Sequence, residues 1–156
     1  MTEKLAQLLQ AHFDSIFAGP NGDYPAVLEA LAEIPADHAA WKPGPDNNSI
    51  WQIVDHLSAS NVWQQEMLEK GQAASPVWSE PPGGETAWQA SLVRLRETHA
   101  DLMTALSHLL DEELLGVPVP EWKKILLELL LSTAAHEACH AGQIDYLKGL
   151  ASVKSA

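Results

Sequence analysis

The chain has 156 residues, of which 46% are hydrophobic, and this composition is typical of a single globular domain, here residues 1–156. The 21 acidic and 9 basic residues give a net charge of −12, which repels phosphate backbones and argues against nucleic-acid binding. The longest apolar run, Ile125–Leu131, is interrupted by Glu128 and is too short to cross a bilayer, so we expect no membrane partner.

The first predicted element is a helix over Thr2–Ala18, which the turn-forming sequence Gly19–Gly22 ends. Its apolar residues lie at helical spacing: Leu5, Leu8, Leu9, Phe13, Ile16 and Phe17. This N-terminal sequence lacks the apolar core of a signal peptide, and the single cysteine, Cys139, excludes an intrachain disulfide. Both features favour a cytoplasmic protein.

A short helix over 25–33 and a compact loop over 36–45 lead to the second long helix, residues 49–70. Ser49 and Gln52 form a predicted capping box, in which each side chain bonds the backbone N–H of the other residue. One face of this helix carries Ile53, His56, Leu57, Ser60 and Trp63 or Gln64.

A connector over 72–84 is rich in Pro, Gly and Ser and has no periodic pattern. Its extended length, roughly 40 Å, exceeds the roughly 31 Å of the second helix, so the third helix can run parallel to the second. The third helix is predicted from Glu85 to Leu110. Its inward seam is Trp88, Leu92, Leu95, His99, Leu102, Leu106 and Leu109.

A break over 111–120 precedes the fourth helix, which is predicted from Glu121 to Leu150. Because the run 125–131 is apolar on nearly every side, we expect it to be the most buried part, with some leucines packing against a second copy in a homodimer. The predicted fold class is therefore all-α: a four-helix bundle with a long crossover between the second and third helices and one short extra helix.

Two histidines four residues apart, His136 and His140, lie on one face of the fourth helix. With Glu137 between them they match the H-E-x-x-H motif of zincin proteases, in which the glutamate activates water. A zincin also needs a third ligand downstream, but Gln143 and Tyr146 replace the expected Gly and His. Since the 16 residues after His140 include no glutamate either, a zincin is disfavoured.

The third ligand must then lie upstream in the chain. Among seven histidines, His56 is best placed, because it lies on the apolar face of the second helix. Three neutral imidazoles suit several divalent ions, including Zn, Ni and Fe, and leave at least one position open for water or substrate. The sequence thus predicts a divalent metal held by His56, His136 and His140.

Several short motifs together resemble the DinB-like (YfiT-related) metal-binding bundle family. These motifs are Trp51–Leu57, His136-x-x-x-His140-x-Gly142-Gln143-Ile144, Trp41-x-Pro43 and Trp78–Pro82. The resemblance implies a four-helix bundle, usually dimeric, with the metal on those same three histidines. Many relatives have Arg after the last ligand, where this chain has Ala141. Characterised relatives include thiol S-transferases and a thiol-dependent isomerase, which implies a low-molecular-weight thiol as co-substrate.

Two residues near the histidine pair are candidate catalytic groups. Gln143 either hydrogen-bonds a metal-bound water or fills a polar gap in the core. Glu137 is either a general base or a solvent-facing or supporting residue, since it lies about 100° around the helix from His136.

For the other candidate residues, the alternative to a role at the site is simple packing in the core. We expect Cys139 to be a buried, inert thiol rather than a metal ligand or a nucleophile. His12 and His99 lie on apolar stripes and are expected in the core rather than at the pocket, whereas His38 and His108 are expected at the surface. Trp51 and Trp63 are candidates for the pocket wall.

The leading functional hypothesis is a metal-dependent enzyme that activates a thiol or a water for S-transferase or hydrolase chemistry on a small-molecule substrate. The alternative is a non-catalytic metal-binding or stress-response module. A bundle without metal, in which the histidine cluster is vestigial, is the third possibility.

Overall fold

The computed structural model describes residues 4–20, 22–116, 119 and 123–154. Within these residues the chain has seven helices and no strand, which confirms the predicted all-α bundle. The helices are α1 (Lys4–Ala18), α2 (Val27–Ala30), α3 (Ala36–Ala40), α4 (Ile50–Lys70), α5 (Glu85–Ser107), α6 (Asp111–Leu114) and α7 (Leu126–Lys154). None of these helices is both long enough and apolar enough to cross a membrane.

The long helices α4 and α5 pack in parallel. Trp51 Nε1 donates to Ser91 Oγ at 2.9 Å, and Asn61 Nδ2 approaches Thr98 Oγ1 at 3.5 Å. Because the contact positions advance together along both helices, the two run in the same direction. The helix-free segment 72–84 is therefore the long crossover that the sequence predicts.

The apolar faces of the long helices meet in two core clusters. One lies around Trp51 and Trp88, and the other lies around Phe13 and Leu102. The predicted seam of the third helix is confirmed, with six of its seven residues buried and Leu92 half-buried, although α5 ends at Ser107 rather than Leu110, so that Leu109 follows the helix. In α1 the apolar residues of the predicted helical pattern are buried or half-buried, except Leu8, whose side chain is 63% exposed.

In the part of the chain that the structure describes, the bundle has three short helices, whereas the sequence predicts one. The predicted helix over 25–33 is reduced to α2, and α3 occupies a segment predicted as loop. The α6 turn forms inside a predicted break because Leu114 is fully buried and Asp111 Oδ1 accepts from Leu5 N at 2.9 Å. Tertiary contacts therefore stabilise turns that are too short to form alone.

The last long helix differs most from its prediction. It begins at Leu126 rather than Glu121, which lies outside the described residues, and it extends past Leu150. Before it, Lys123 has a φ of 53° and Lys124 pairs with Val119 in an isolated bridge.

The run 125–131 is not the most buried part of the bundle, contrary to expectation. Leu130 alone among these residues is buried, and Leu131 is 45% exposed. Leu129 lines a cavity between α4 and α7 instead of packing into the core, and Leu131 belongs to a row of exposed residues on α7.

Candidate metal centre

Two antiparallel helices bring the three predicted ligands together. His56 lies in the first half of α4, and His136 and His140 lie one turn apart on α7. His56 Nε2 is 3.3 Å from His136 Nε2, and His140 Nε2 is 3.0 Å from His136 Nε2. These residues form a group whose ligand atoms all lie within 4.8 Å of one another. Three histidines that span 84 positions of the sequence therefore converge on one point.

The spacing of these nitrogens fits a shared cation. With metal–nitrogen bonds of about 2.05 Å, two ligands lie roughly 2.9 Å apart in octahedral geometry and roughly 3.4 Å apart in tetrahedral geometry. Two of the three separations, 3.0 and 3.3 Å, fall inside this interval, and all three ligand atoms lie within 4.8 Å of one another. Imidazole nitrogens are ligands for several divalent ions, so the donor set is compatible with Zn, Ni or Fe.

The environment of the three rings favours their neutral forms. Burial, followed by the neighbouring His140 and His136, lowers the pKa of His56 to about 4. Burial lowers the pKa of His136. It also lowers the pKa of His140, where the hydrogen bond with Gln143 acts in the opposite direction and His136 lowers it further. Because a metal binds the neutral imidazole, these shifts favour the binding form near neutral pH.

Gln143 lies against the far side of His140. The His140 Nδ1–H group donates to Gln143 Oε1 at 2.7 Å. A proton on Nδ1 leaves the lone pair on Nε2, which faces the other two histidines. Gln143 thus orients a candidate ligand. The two roles predicted for it from the sequence, a bond to a metal-bound water and the filling of a polar gap in the core, did not include this contact.

The crossover covers the site with the indole ring of Trp78, which was not among the site residues predicted from the sequence. Trp78 stacks on His56 with ring centroids 4.1 Å apart and planes 8° from parallel. Gln52 Nε2 donates to Ser79 O at 3.2 Å, and Lys42 Nζ pairs with Glu80 at 2.7 Å. These contacts fix the crossover beside the histidines.

Gln52, which bonds the crossover, also belongs to the cap at the start of α4, the helix that carries His56. The predicted capping box is present, with Gln52 N donating to Ser49 Oγ at 3.1 Å and Ser49 N donating to Gln52 Oε1 at 3.0 Å. Gln52 therefore uses its side-chain carbonyl for the cap and its amino group for the crossover.

A cavity of about 520 Å³ opens from the histidines between α4, α7 and the crossover. His56 and His136 form one end of it. Its other lining residues are Ser60, Trp63, Gln64, Met67, Gln72, Ala73, Ser75, Pro76, Lys124, Leu129, Ser132 and Thr133. Trp63 is therefore a wall residue as proposed, whereas Trp51 is fully buried in the core.

Glu137 lies in the core rather than on this cavity. Its side chain is 4% exposed, so the solvent-facing interpretation is wrong. Burial, with the nearby charge of Asp14, raises the pKa of Glu137 to about 8. Its Oε1 has no hydrogen-bond partner among the described residues. At neutral pH this geometry favours a protonated carboxylic acid rather than the carboxylate of a general base.

The remaining candidate residues are dispersed. Cys139 is exposed, contrary to the expectation of a buried thiol, and His12 is exposed rather than in the core. His99 is buried as expected, stacked on Phe17 at 3.8 Å and hydrogen-bonded to Asp14 at 3.0 Å. The two histidines expected at the surface differ: His108 is exposed and His38 is half-buried.

Comparison with known proteins adds one match. A family model described as the DinB superfamily matches residues 22–144, a segment that contains all three clustered histidines. Neither the comparison with curated proteins nor that with solved structures found a match.

Proposed function

This chain belongs to the DinB superfamily, and we propose that it binds one divalent cation through His56, His136 and His140. The observation that carries the proposal is the convergence of the three histidines, whose ligand atoms lie within 4.8 Å of one another; His136 Nε2 is 3.3 Å from His56 Nε2 and 3.0 Å from His140 Nε2. Zn, Ni and Fe all accept three imidazoles, so the donor set leaves the choice among these ions open.

We further propose that the site is catalytic and acts on a small-molecule substrate. When bound, the cation supplies Lewis acidity, which lowers the pKa of a thiol or a water at its remaining position. The residues around it have separate tasks: Gln143 holds the tautomer of His140, Trp78 holds the ring of His56, and the cavity orients the substrate. The expected chemistry is of the S-transferase or hydrolase type, with a low-molecular-weight thiol as co-substrate in a cytoplasmic protein.

A second candidate is a non-catalytic metal-binding module. It is favoured by one observation, namely that the three histidines connect α4 to α7 across the bundle. A cation at this point would stabilise the fold directly. This candidate predicts a large loss of thermal stability on chelation and no reaction of the bound ion with thiols.

Elemental analysis of the purified protein tests the metal proposal first. We expect about one divalent ion per chain, lost in His56→Ala and kept in the matched control His108→Ala, whose imidazole is exposed. A metal content that is equal in the two variants would contradict the proposed ligand set.

The absorption spectrum of the Co(II)-substituted protein then separates the two candidates. We expect a spectral change when a thiol is added, because the thiol enters the open position. An unchanged spectrum in a protein that needs its metal for stability would favour the non-catalytic module.

We also propose that the protein is a homodimer. The support is a row of seven uncharged residues that are exposed to solvent along α7, between Leu131 and Val153, on a chain whose net charge is −12. Apolar helix faces of this kind commonly pack against the same face of a second copy.

A further inference from the structure

We infer that an apolar side cavity next to the histidine cavity holds a small, uncharged apolar group of the substrate, either a single six-membered ring or a short alkyl chain. The side cavity lies around Leu68 on α4 and around Leu126 and Leu130 on α7. The inference rests on the proposed function, because it names the class of substrate for the same site.

The walls of the side cavity are mainly apolar. Its volume is about 110 Å³. Six large apolar residues line it: Trp63, Met67, Leu68, Leu126, Leu129 and Leu130. None of the described residues in its wall is charged. These walls disfavour a charged group, because a charge there would lose its hydration without gaining a partner.

The two polar side chains in the wall add little polar surface. The hydroxyl group of Thr133 donates to Leu130 O at 2.8 Å, so it needs no bond from a ligand. Gln64 is 6% exposed and presents little surface to the cavity. Water in the side cavity would therefore find few hydrogen-bond partners, and an apolar group can displace it at low cost.

The apolar residues of these walls are not covered by the rest of the chain. Five of the six large apolar residues are half-buried, and only Leu130 is buried. Apolar surface that is continuous over several residues commonly marks a binding site. A ligand group that fills the cavity would remove this surface from water, which stabilises the complex through the hydrophobic effect.

The volume of the side cavity sets the size of the group. An engineered cavity of about 150 Å³ with Leu, Ile and Phe walls binds benzene. The side cavity is somewhat smaller, but it shares Trp63, Met67 and Leu129 with the larger cavity and so adjoins it. One ring or a short alkyl chain therefore fits, with the rest of the molecule in the larger cavity.

The helices place the side cavity two turns from the histidines. Trp63 follows His56 by seven residues on α4, and Leu129 precedes His136 by seven residues on α7. Because the two helices are antiparallel, both intervals lead in the same direction, roughly 10 Å along the bundle. A substrate that reaches both places is therefore elongated, with its reacting end at the histidines and its apolar group in the side cavity.

Fluorobenzene, a single uncharged ring, tests the assignment. Its affinity for the full-length protein is measured by fluorine NMR titration. Leu126→Trp fills the side cavity with an indole, and we expect it to lower the affinity at least about 10-fold. Leu68→Trp fills the same cavity from α4 and should reproduce the loss if Leu126→Trp folds poorly.

Two further variants show where the ring binds. Leu8→Trp makes the same change at a residue of α1 that is 63% exposed, so it should leave the affinity unchanged. Ser132→Trp adds bulk to the wall of the larger cavity but not to that of the side cavity, and it should also leave the affinity unchanged. A loss in Ser132→Trp without a loss in Leu126→Trp, an equal loss in all variants, or no binding to the unmodified protein would overturn the inference.

A thiol joined to a phenyl ring by a six-carbon chain tests the connection to the histidines. In protein that contains its metal, this thiol should displace fluorobenzene at about a 10-fold lower concentration than in His56→Ala, where no metal–sulfur bond forms. Equal displacement from the two proteins would overturn the connection between the side cavity and the histidines.

The metal content separates this inference from the proposed function. If the unmodified protein lacks metal but binds fluorobenzene with an affinity that Leu126→Trp lowers, the metal proposal fails and the assignment of the side cavity stands. If metal binds at the expected ratio and Leu126→Trp leaves the affinity for fluorobenzene unchanged, the assignment of the side cavity fails and the metal proposal stands.

Discussion

The indole of Trp78 lies flat on the imidazole of His56, with ring centroids 4.1 Å apart and planes 8° from parallel. Trp78 belongs to the helix-free crossover, while His56 belongs to α4. The orientation of a candidate ligand thus depends on a segment outside the helical bundle. This segment is held in turn by the bond from Gln52 to Ser79 and by the pairing of Lys42 with Glu80.

Replacing Trp78 by Ala should weaken zinc binding without unfolding the protein. A stacked aromatic pair contributes about 0.5–1.5 kcal/mol, so we expect roughly a 2- to 10-fold loss of affinity. Competition with a chromogenic zinc chelator measures this loss. Val77→Ala is the control, because Val77 is the preceding residue and is 77% exposed. An unchanged affinity in Trp78→Ala would mean that the stack does not orient His56.

Replacing Gln143 by Ala should also weaken metal binding, through the tautomer of His140. Loss of a residue that supports a ligand typically costs about 10- to 100-fold in metal affinity. Gln89→Ala is the matched control, since its amide bonds Glu85 on its own exposed helix face. The zinc affinity of both variants is measured by the same competition with a chromogenic chelator. A larger loss in affinity for Gln89→Ala than for Gln143→Ala would contradict the proposed role.

Local patterns in the sequence predicted the parts of the site that lie on helices. The capping box at Ser49, the seam of α5 and the pairing of His136 with His140 all follow from helical periodicity and from residue chemistry one turn apart. The stripe on α4 likewise selected His56, which the structure places beside the other two. In each case the needed information lies within a few turns of helix.

Features that depend on long-range packing were missed. The crossover has no periodicity, so nothing in the sequence indicated that Trp78 would stack on His56. Helical spacing also cannot tell whether an apolar residue lines a cavity or fills the core, which is why Leu129 was expected among the most buried residues. Cys139 and His12 were expected inside for the same reason, yet both are exposed.

Metal binding at this site should be less sensitive to mild acid than metal binding at a cluster of histidines with unperturbed pKa values. Protons compete with metal once the pH falls below the pKa of the imidazole, near 6.5 for an unperturbed side chain. Because burial lowers the pKa of all three histidines, to about 4 in His56, this competition begins below that value. We expect zinc affinity to fall less between about pH 7.5 and pH 6.5 than it would for three imidazoles with the unperturbed pKa of about 6.5. A decline as large as that of three unperturbed imidazoles, measured by isothermal titration calorimetry, would contradict it.

Glu137 should make the metal-free protein less stable as the pH rises. Its pKa is raised from 4.5 to about 8, so between these values the folded state holds a proton that the unfolded state has released. Stability therefore falls with rising pH in this window, by a total on the order of 5 kcal/mol at most. Glu137→Gln cannot ionise, so its stability should lack this loss.

Thermal unfolding of the chelated protein at about pH 5 and pH 8 measures the Glu137 effect. The variant Glu97→Gln is the control, because Glu97 is exposed on α5. We expect Glu137→Gln to unfold at a higher temperature than the unmodified protein at the upper pH and at a similar temperature at the lower one. Parallel pH dependence in all three proteins would show that Glu137 does not titrate in this range.

The proposed homodimer depends on one face of α7. Seven exposed, uncharged residues lie on it at spacings of three or four: Leu131, Ala135, Cys139, Gly142, Tyr146, Gly149 and Val153. The face is roughly 33 Å long, and its glycines and alanine allow the backbone of a second helix to approach closely. Tyr146 is 70% exposed and Val153 is 77% exposed, so these two side chains have little contact within the chain, and Leu131 is 45% exposed.

Tyr146→Glu should convert the dimer to a monomer, because the carboxylate would be buried without a partner in the interface. Light scattering coupled to size-exclusion chromatography at micromolar concentration measures the change. Leu8→Glu is the matched control, since Leu8 is an exposed apolar residue on α1, outside this face. A short bis-maleimide should also crosslink two chains through Cys139, the only cysteine. Monomeric unmodified protein, or equal dissociation in both variants, would exclude this face as the interface.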